Sequence, residues 1–419
     1  MRRSKYTTRI KLYKNITEYI IEMEDAKRKI VQKIDSLRPL LIEVNNAIFN
    51  NPELCYNEHY ALDYLTSRLN QFGFVTEKGY KGVETAYRAS PTKENSSPQI
   101  ALISEYDALA NIGHACGHSL IAAASTVAAV ALKEATPEIA NNFTVIGTPA
   151  EEGGGGKVKM ASNGAFNQID AAIMIHPSNK TRVTARMYAI TDIKFTFLGK
   201  ASHAAAFADQ GINALDGAVG FYNMVAMLRQ QIVDSARVHG VFEEGQGAPN
   251  IIPEKAIMRF YVRALDKLYF EELVTKIINC AEGATKASGC RLEVERMGYT
   301  YDPFTPNYTI GRLFKNNMDK INLKANDQFS ETDEIGSSDI GNLSNIVPTL
   351  HPEFAIGDRD AINHSRKFLD AVVSEEGIHM AVEMTKAMAM TVYDLATDKV
   401  SMNSAKEEFS QGAKVVAGK

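Results

Sequence analysis

Cysteine is scarce in this chain, and long apolar runs and clusters of basic residues are missing. The four cysteines, Cys55, Cys116, Cys280 and Cys290, form neither a disulfide framework nor a C-x-x-C redox pair. No apolar run approaches the roughly 18 residues that span a bilayer. The net charge is −4, and Lys and Arg are spread rather than clustered, which excludes the basic footprint of a nucleic-acid-binding protein. We therefore expect a soluble, cytoplasmic protein with no nucleic-acid or membrane partner.

The N-terminal segment is basic, and no acid precedes Glu18. A mitochondrial presequence is an alternative interpretation of such a segment. A secretory signal is excluded because no apolar stretch follows the charges.

Three short, nearly continuous apolar runs predict strands that are covered on both faces. They are QIALIS (residues 99–104), FTVIG (143–147) and AAIMI (171–175), and an Ala-rich stretch long enough for a buried helix separates the first two. Strand, helix and strand in alternation predict an α/β domain with a mostly parallel sheet and helices on both faces.

The pattern changes after Thr191, where alternating and helical segments follow in the order β, α, β, β, α, β. That order is typical of a split βαβ, ferredoxin-like α+β unit. We therefore predict an inserted domain at residues 191–300 and a discontinuous main domain made of residues 1–190 and 301–419. The polar, Lys-rich tail after Lys399 is expected to fray.

The stretch GHACGHS (Gly113–Ser119) places two histidines and a cysteine at a predicted strand-to-helix turn. Cys116 and His118 can reach one metal only if the backbone turns between them, which Gly113 and Gly117 would allow. The adjacent helix N-terminus would favour the thiolate form of Cys116. The alternative is a buried free cysteine flanked by hydrogen-bonded histidines.

Glu151 and Glu152, in GTPAEEGGGGK, directly follow a predicted buried strand, at the end where ligands gather in open α/β sheets. Two adjacent carboxylates are costly to bury there without a cation or a proton between them. One could bind a metal while the other accepts a proton from a metal-activated water. The alternative is a solvated glycine-rich loop. A GxxxxGK[ST] phosphate loop is excluded, because Glu151 and Val158 occupy positions that require Gly and Ser or Thr.

His176 ends the third predicted strand and His364 lies in a late loop, and either residue alone would more often be structural. Taken with Cys116, His118 and the glutamate pair, they supply thiolate, imidazole and carboxylate groups that suit zinc or a similar divalent ion.

Two polar residues of the inserted domain are further candidates. His203, in GKASHAAA, could close over the site and stabilise the charge of a tetrahedral intermediate, or it could be a surface histidine at a helix start. Asn250, in APNIIP, could donate a hydrogen bond to substrate or only form a turn.

The chain closely resembles the M20 metallopeptidase family, in particular the amidohydrolase branch of Xaa-Arg (β-alanyl-lysine) dipeptidases and aminobenzoyl-glutamate hydrolase subunits. The matching stretches run in family order from about Leu40 to Phe368, and they are NNPELCYNEHYALDYL, EYDALANIGHACGHSLIAAA, GTPAEEGGGGKVKMASNGAF, IMIHPS, GKASHAAA, PNIIP and VPTLHPEFAIGDRDAINHS.

This resemblance implies a two-metal hydrolase, with zinc or manganese, whose inserted domain is a lid that also forms a homodimer. The implied metal ligands are Cys116, His118, Glu152, His176 and His364. Glu151 is the implied general base, and Asp107 the implied residue that orients a ligand. The resemblance also implies that His203 reaches an active site, in many relatives that of the partner subunit.

The predicted activity is hydrolysis of the amide bond of a small dipeptide or N-acyl amino acid. A dipeptidase is the first hypothesis, with Asp209, Glu243 and Glu244 of the inserted domain favouring a cationic substrate side chain. The alternatives are an aminobenzoyl-glutamate or N-acyl-amino-acid amidohydrolase, and a non-catalytic metal-binding relative. The chain departs from the family pattern at Ala110–Asn111, where Pro-Gly is usual, and at Ser119, where Asn or Asp is usual.

Overall fold

The computed structural model describes residues 23–245, 247–325 and 335–417. The basic segment considered as a presequence lies outside these ranges. The helices are α1 (23–36), α2 (Arg38–Phe49), α3 (His59–Gln71), α4 (His118–Ala135), α5 (Glu151–Gly154), α6 (Gly156–Ser162), α7 (Ala214–Leu228), α8 (Lys267–Ser288), α9 (Tyr308–Lys320), α10 (Ile340–Ser344), α11 (Arg366–Val372), α12 (Glu375–Thr397) and α13 (Lys399–Ala417). The strands are β1 (Val75–Lys78), β2 (Tyr87–Ser90), β3 (Ile100–Glu105), β4 (Phe143–Thr148), β5 (Ala171–Ile173), β6 (His176–Ser178), β7 (Ala189–Leu198), β8 (Ala236–Glu244), β9 (Lys255–Ala264), β10 (Arg291–Tyr301), β11 (Thr349–Leu350) and β12 (Glu353–Ala355).

Six strands form the main sheet, in the order β1-β2-β4-β3-β5-β11. The three apolar runs predicted as strands are β3, β4 and β5, and together with β11 they pair in parallel. The β1–β2 and β2–β4 pairs are antiparallel. The prediction of a mostly parallel α/β sheet is confirmed.

Helices cover both faces of this sheet, as predicted. On β3, Ile100 and Leu102 point into a core cluster that includes α4 and α12. Ala101 and Ile103 point the other way, into a second cluster that includes residues of α6 and α10. Strands buried on both faces read as apolar runs without alternation, and this is why the sequence signal was clear.

A separate antiparallel sheet contains β10, β7, β9 and β8, in that order. It has its own apolar core with α7 and α8, built around Phe195, Phe221 and Phe260. The element order over residues 189–301 agrees with the predicted split βαβ unit. We call residues 189–301 the second sheet unit.

The described part of the polar C-terminal tail forms α13, Lys399–Ala417, so the expectation that it frays after Lys399 is wrong for these residues. Met402 and Ala405 are buried on its inner face. The Glu408 carboxylate accepts hydrogen bonds from the main-chain N–H groups of Tyr308 and Thr309, which caps the start of α9. None of the helices in the described residues combines the length and the hydropathy of a membrane-spanning segment.

Candidate metal and catalytic site

The carboxyl ends of the parallel strands bring the candidate residues to one edge of the main sheet. Asp107 follows β3, the glutamate pair follows β4, and His176 follows β5. His351 follows β11, the next strand along the sheet. Ligands in open α/β sheets collect at this edge because the loops there converge.

The Cys116 segment is a turn and not helix, as metal binding by both Cys116 and His118 requires. Gly117 has φ +85° and precedes α4, whose first residue is His118. A Cβ on Gly117 would lie 2.8 Å from Cγ of Pro177, so the turn also needs glycine for close packing.

Six predicted residues, the five implied metal ligands and the implied base, are brought together in this structure. These residues form three overlapping groups of three, and within each group the ligand atoms lie within 4.8 Å of one another. They are Cys116, His118 and His176; Cys116, Glu152 and His364; and His118, Glu151 and Glu152. Cys116, His118 and Glu152 each belong to two groups, so adjacent positions for two cations would share ligands.

Buried polar atoms without a hydrogen-bond partner point into the same space. They include Nε2 of His118 and Oε1 of Glu152. Buried polar groups are nearly always satisfied, and a divalent cation would satisfy both of these atoms. Thiolate, imidazole and carboxylate also form a donor set typical of zinc or a related metal.

The local electrostatics favour positive charge at this point. Burial opposes the charged form of His118, yet Cys116, Asp107 and Glu105 together raise its pKa well above the ordinary value. Burial, followed by the neighbouring Glu152 and Glu105, raises the pKa of Glu151 well above its usual range. A cation bound among these acids would relieve the repulsion that contributes to the second shift.

His176 and Cys116 are buried beside each other, with 3.7 Å between Nε2 and Sγ. Burial lowers the pKa of His176 to about 4, so its imidazole is neutral, as a metal ligand must be. Burial raises the pKa of the Cys116 thiol, so the helix N-terminus alone does not produce the thiolate that we expected. A metal ion would be needed to deprotonate it.

His364 reaches the group from the loop before α11. Its Nε2 lies 3.4 Å from Oε1 of Glu152, and its main-chain N–H donates to the Ala115 carbonyl at 2.8 Å. The residue has φ +69°, a conformation that non-glycine residues rarely adopt. The hydrogen bond to Ala115 ties this strained residue to the Cys116 turn.

A buried charge network beneath the site was not predicted. The Lys157 ammonium contacts the Glu105 carboxylate and lies 2.6 Å from Oδ1 of Asp339, and all three side chains have no exposed surface. Oε2 of Glu105 is 3.5 Å from Nε2 of His118, which links the network to the candidate ligands. One available signal was Glu105 itself, a lone acid ending an otherwise apolar strand.

A cavity of about 590 Å³ opens beside the candidate ligands. The residues that line it are Cys116, Glu151, Glu152, His176, Pro177, Ser178, Asn179, Lys180, Arg182, Arg186, Met187, Ile335, Gly336, Ser337, Ser338, His351, Glu353, Arg359, Ile362, Asn363 and His364. Such a volume suits a small molecule such as a dipeptide.

His203 and Asn250 are not among the described lining residues of this cavity. Both are exposed, and they lie next to each other, because the N–H of Ala204 donates to the Asn250 carbonyl at 2.9 Å. Asp209, Glu243 and Glu244 also lie outside the lining. Glu243 and Glu244 pair with Arg259 and Lys255 of the second sheet unit instead.

Comparison with known proteins places the chain in a family. A family model described as Peptidase family M20/M25/M40 matches residues 101–391. The chain is 35% identical over 410 residues to the Xaa-Arg dipeptidase of Mus musculus, a match that covers 94% of each chain.

A second curated relative and a solved structure extend this result. The B component of the p-aminobenzoyl-glutamate hydrolase of Escherichia coli is 29% identical over 313 residues, covering 69% of this chain and 64% of that protein. The crystal structure of the Bacillus subtilis YXEP protein, described as a dinuclear metal binding peptidase, superposes with a TM-score of 0.65 at 17% identity. That superposition covers 85% of this chain and 98% of the other. At this identity the structural match supports the fold alone.

Proposed function

This chain belongs to peptidase family M20/M25/M40 and is a metal-dependent hydrolase of C–N amide bonds, and we propose that it cleaves a small dipeptide at the edge of its main sheet. The grouping of Cys116, His118, Glu152, His176 and His364 around Glu151 is the observation that carries the proposal. A non-catalytic relative would be expected to have lost part of this set.

We assign the first five of these residues to two divalent ions, zinc or manganese. Asp107 would orient one of these ligands, because its Oδ1 lies 3.0 Å from Nδ1 of His118, which leaves Nε2 to bind a metal. When bound, the ions would supply Lewis acidity, polarising the scissile carbonyl and making a water easier to deprotonate.

Glu151 takes the part of the general base. Its carboxylate lies 3.9 Å from Nε2 of His118, beside the candidate ligands and at the wall of the cavity. Burial, followed by Glu152 and Glu105, raises its pKa in the metal-free protein, and it has no assigned role as a metal ligand, so its carboxylate is available to accept a proton. Glu151 would accept a proton from the attacking water and then deliver it to the leaving amine.

His203 and Asn250 would act from the second sheet unit, which we propose is a lid. Since both lie outside the described cavity lining of their own chain, they would reach the substrate by lid closure or from a partner subunit. The edge strand β8 exposes Val241 and Phe242, and the adjacent α7 exposes Met227. An exposed apolar strand edge of this kind is a site for pairing with another chain, which supports a homodimer formed through this unit.

The basic side chains of the cavity wall support the proposal that the substrate carries a negative charge at the end away from the scissile bond. The described part of the wall contains Lys180, Arg182, Arg186 and Arg359. Glu353 also lines the cavity, and its carboxylate pairs with Arg182 at 2.8 Å. Every dipeptide ends in a carboxylate, which such a wall would attract.

The same observation supports a second candidate, an amidohydrolase acting on N-acyl or aminobenzoyl glutamate. An acidic leaving amino acid carries two carboxylates and would gain more from a basic wall than a lysine or arginine would. The acids expected to favour a cationic side chain, Asp209, Glu243 and Glu244, are not among the described residues that line the cavity. The cytoplasm is the proposed location, consistent with four free cysteines.

A substrate panel tests these proposals. Protein loaded separately with zinc and with manganese would be assayed on β-alanyl-lysine, an Xaa-Arg dipeptide, an N-acetyl amino acid and aminobenzoyl-glutamate. We expect turnover of at least one substrate, and loss of turnover on chelation. Preference for the glutamate conjugate would select the second candidate. Full activity in metal-free protein would contradict the proposed chemistry.

A further inference from the structure

The glycine-rich turn that follows the glutamate pair is held by a tyrosine of the second sheet unit. The Tyr301 hydroxyl donates a hydrogen bond to the main-chain carbonyl of Glu151 at 2.9 Å. The hydroxyl oxygen of Tyr301 also accepts a hydrogen bond from the N–H of Gly155 at 3.0 Å. One buried hydroxyl therefore bridges the two ends of the turn.

Aromatic side chains restrain this turn from two further directions. The Tyr299 ring packs on Gly155, where an added Cβ would lie 2.6 Å from Cδ2 of the ring. The Tyr56 hydroxyl donates to the Gly154 carbonyl at 2.7 Å. The turn is conformationally demanding, with φ +59° at Ala150 and +62° at Gly155, so it depends on such restraints.

Tyr301 reaches the turn because β10 is irregular at its end. The register between β10 and β7 shifts between Met297 and Tyr301, and Gly298 within this stretch has φ +68°. Irregularities of this kind re-aim side chains. Tyr301, still paired with Ile190 in the second sheet, is thereby directed towards the main sheet.

We propose that Tyr301 is a positioning residue that fixes the main chain of Glu151 and couples the second sheet unit to the catalytic base. The proposal rests on the proposed role of Glu151. Without the hydroxyl, the Glu151 carbonyl and the Gly155 N–H lose their shared partner, and the turn can relax. A displacement of about 1 Å at a catalytic group can cost roughly 100-fold in rate.

Tyr301→Phe is the test, and Tyr299→Phe is the matched control. The first change removes the bridging hydroxyl and keeps the ring, whereas the second removes a hydroxyl from the ring that packs on Gly155. With both metals loaded, we expect Tyr301→Phe to lower kcat by roughly 10- to 100-fold, with KM and metal content within about twofold of wild type. Tyr299→Phe should leave kcat within about twofold of wild type.

Hydrogen–deuterium exchange in metal-free protein gives a readout that needs no activity. The amide of Gly155 should exchange faster in Tyr301→Phe than in wild type, and at the wild-type rate in Tyr299→Phe. Unchanged exchange, or faster exchange with unchanged kcat, would overturn the proposal. A wild-type protein that hydrolyses no amide would refute the function instead, and exchange alone would then decide whether Tyr301 holds the turn.

Discussion

The His118 ring contacts two oxygen atoms of Asp107 beneath the candidate metal ligands. Nδ1 of His118 lies 2.9 Å from the main-chain carbonyl of Asp107 and 3.0 Å from its Oδ1. This contact holds a proton on Nδ1, so Nε2, which faces the other candidate ligands, is the nitrogen that would bind a metal. Burial alone would raise the pKa of Asp107, but His118 and the N–H of Glu152 stabilise the carboxylate and lower it.

Asp107→Asn should therefore weaken metal binding without removing a ligand. An amide keeps the shape but loses the negative charge that makes the imidazole a stronger ligand. We expect a roughly 10- to 100-fold loss of metal affinity, on the order seen when such supporting groups are replaced. Titration of metal-free protein with zinc would measure it, and activity should recover at high metal concentration. Unchanged affinity would show that the main-chain carbonyl alone orients His118.

Glu151→Gln tests whether Glu151 acts as the general base rather than as a metal ligand. The amide cannot accept a proton, so kcat should fall by about 100-fold or more, while two metals per chain remain bound. Glu152→Gln is the matched comparison at the adjacent position, and it should lower metal content and activity together. Metal analysis and steady-state kinetics on the same samples would check both. Wild-type turnover by Glu151→Gln would eliminate the proposed mechanism.

The parts of the site that lie just after apolar strands or in the glycine-containing turn before α4 were predictable from the sequence. Cys116, the glutamate pair and His176 stand next to buried runs or turns, and in parallel sheets the strand ends meet at one edge. The residues that follow each strand and the parallel pairing of the strands therefore indicate the same site.

The parts that depend on distant pairing could not be predicted. Lys157 and Asp339 lie 182 positions apart, and nothing local to either residue indicates the partner. Tyr301 reaches the turn only through a register shift, which strand alternation does not reveal. The polar composition after Lys399 misleads for a different reason, because the spacing of Met402 and Ala405 indicates the buried face of a helix.

Complementation between two defective variants would show whether His203 acts across subunits. Mixing Glu151→Gln chains with His203→Ala chains gives some dimers in which one site has an intact Glu151 from one chain and an intact His203 from the other. With random pairing, activity should return to about a quarter of the wild-type value. Neither variant alone should approach that level.

The control is the double variant Glu151→Gln with His203→Ala, mixed with wild type under the same exchange conditions. If His203 serves its own chain, the two single variants together would give only the sum of their separate activities. Size-exclusion chromatography would establish that dimers form and exchange.

Glu58 should make stability fall as pH rises from about 4.5 to about 7. Its side chain has no exposed surface, and Oε1 accepts the N–H groups of Tyr56 and Ala150. Burial raises its pKa from 4.5 to about 7. Between these two values the folded state binds more protons than the unfolded state, so the free energy of unfolding decreases with pH, by about 3 kcal/mol at most.

Glu58→Gln tests this dependence, because glutamine resembles the protonated acid and can accept the same two hydrogen bonds. Relative to wild type, the variant should gain stability between about pH 5 and about pH 8, measured by denaturant unfolding of metal-free protein. Glu58→Ala, which lacks the acceptor, should be less stable than Glu58→Gln at both values. A stability difference between wild type and Glu58→Gln that does not change with pH would mean that Glu58 titrates alike in the folded and unfolded chains.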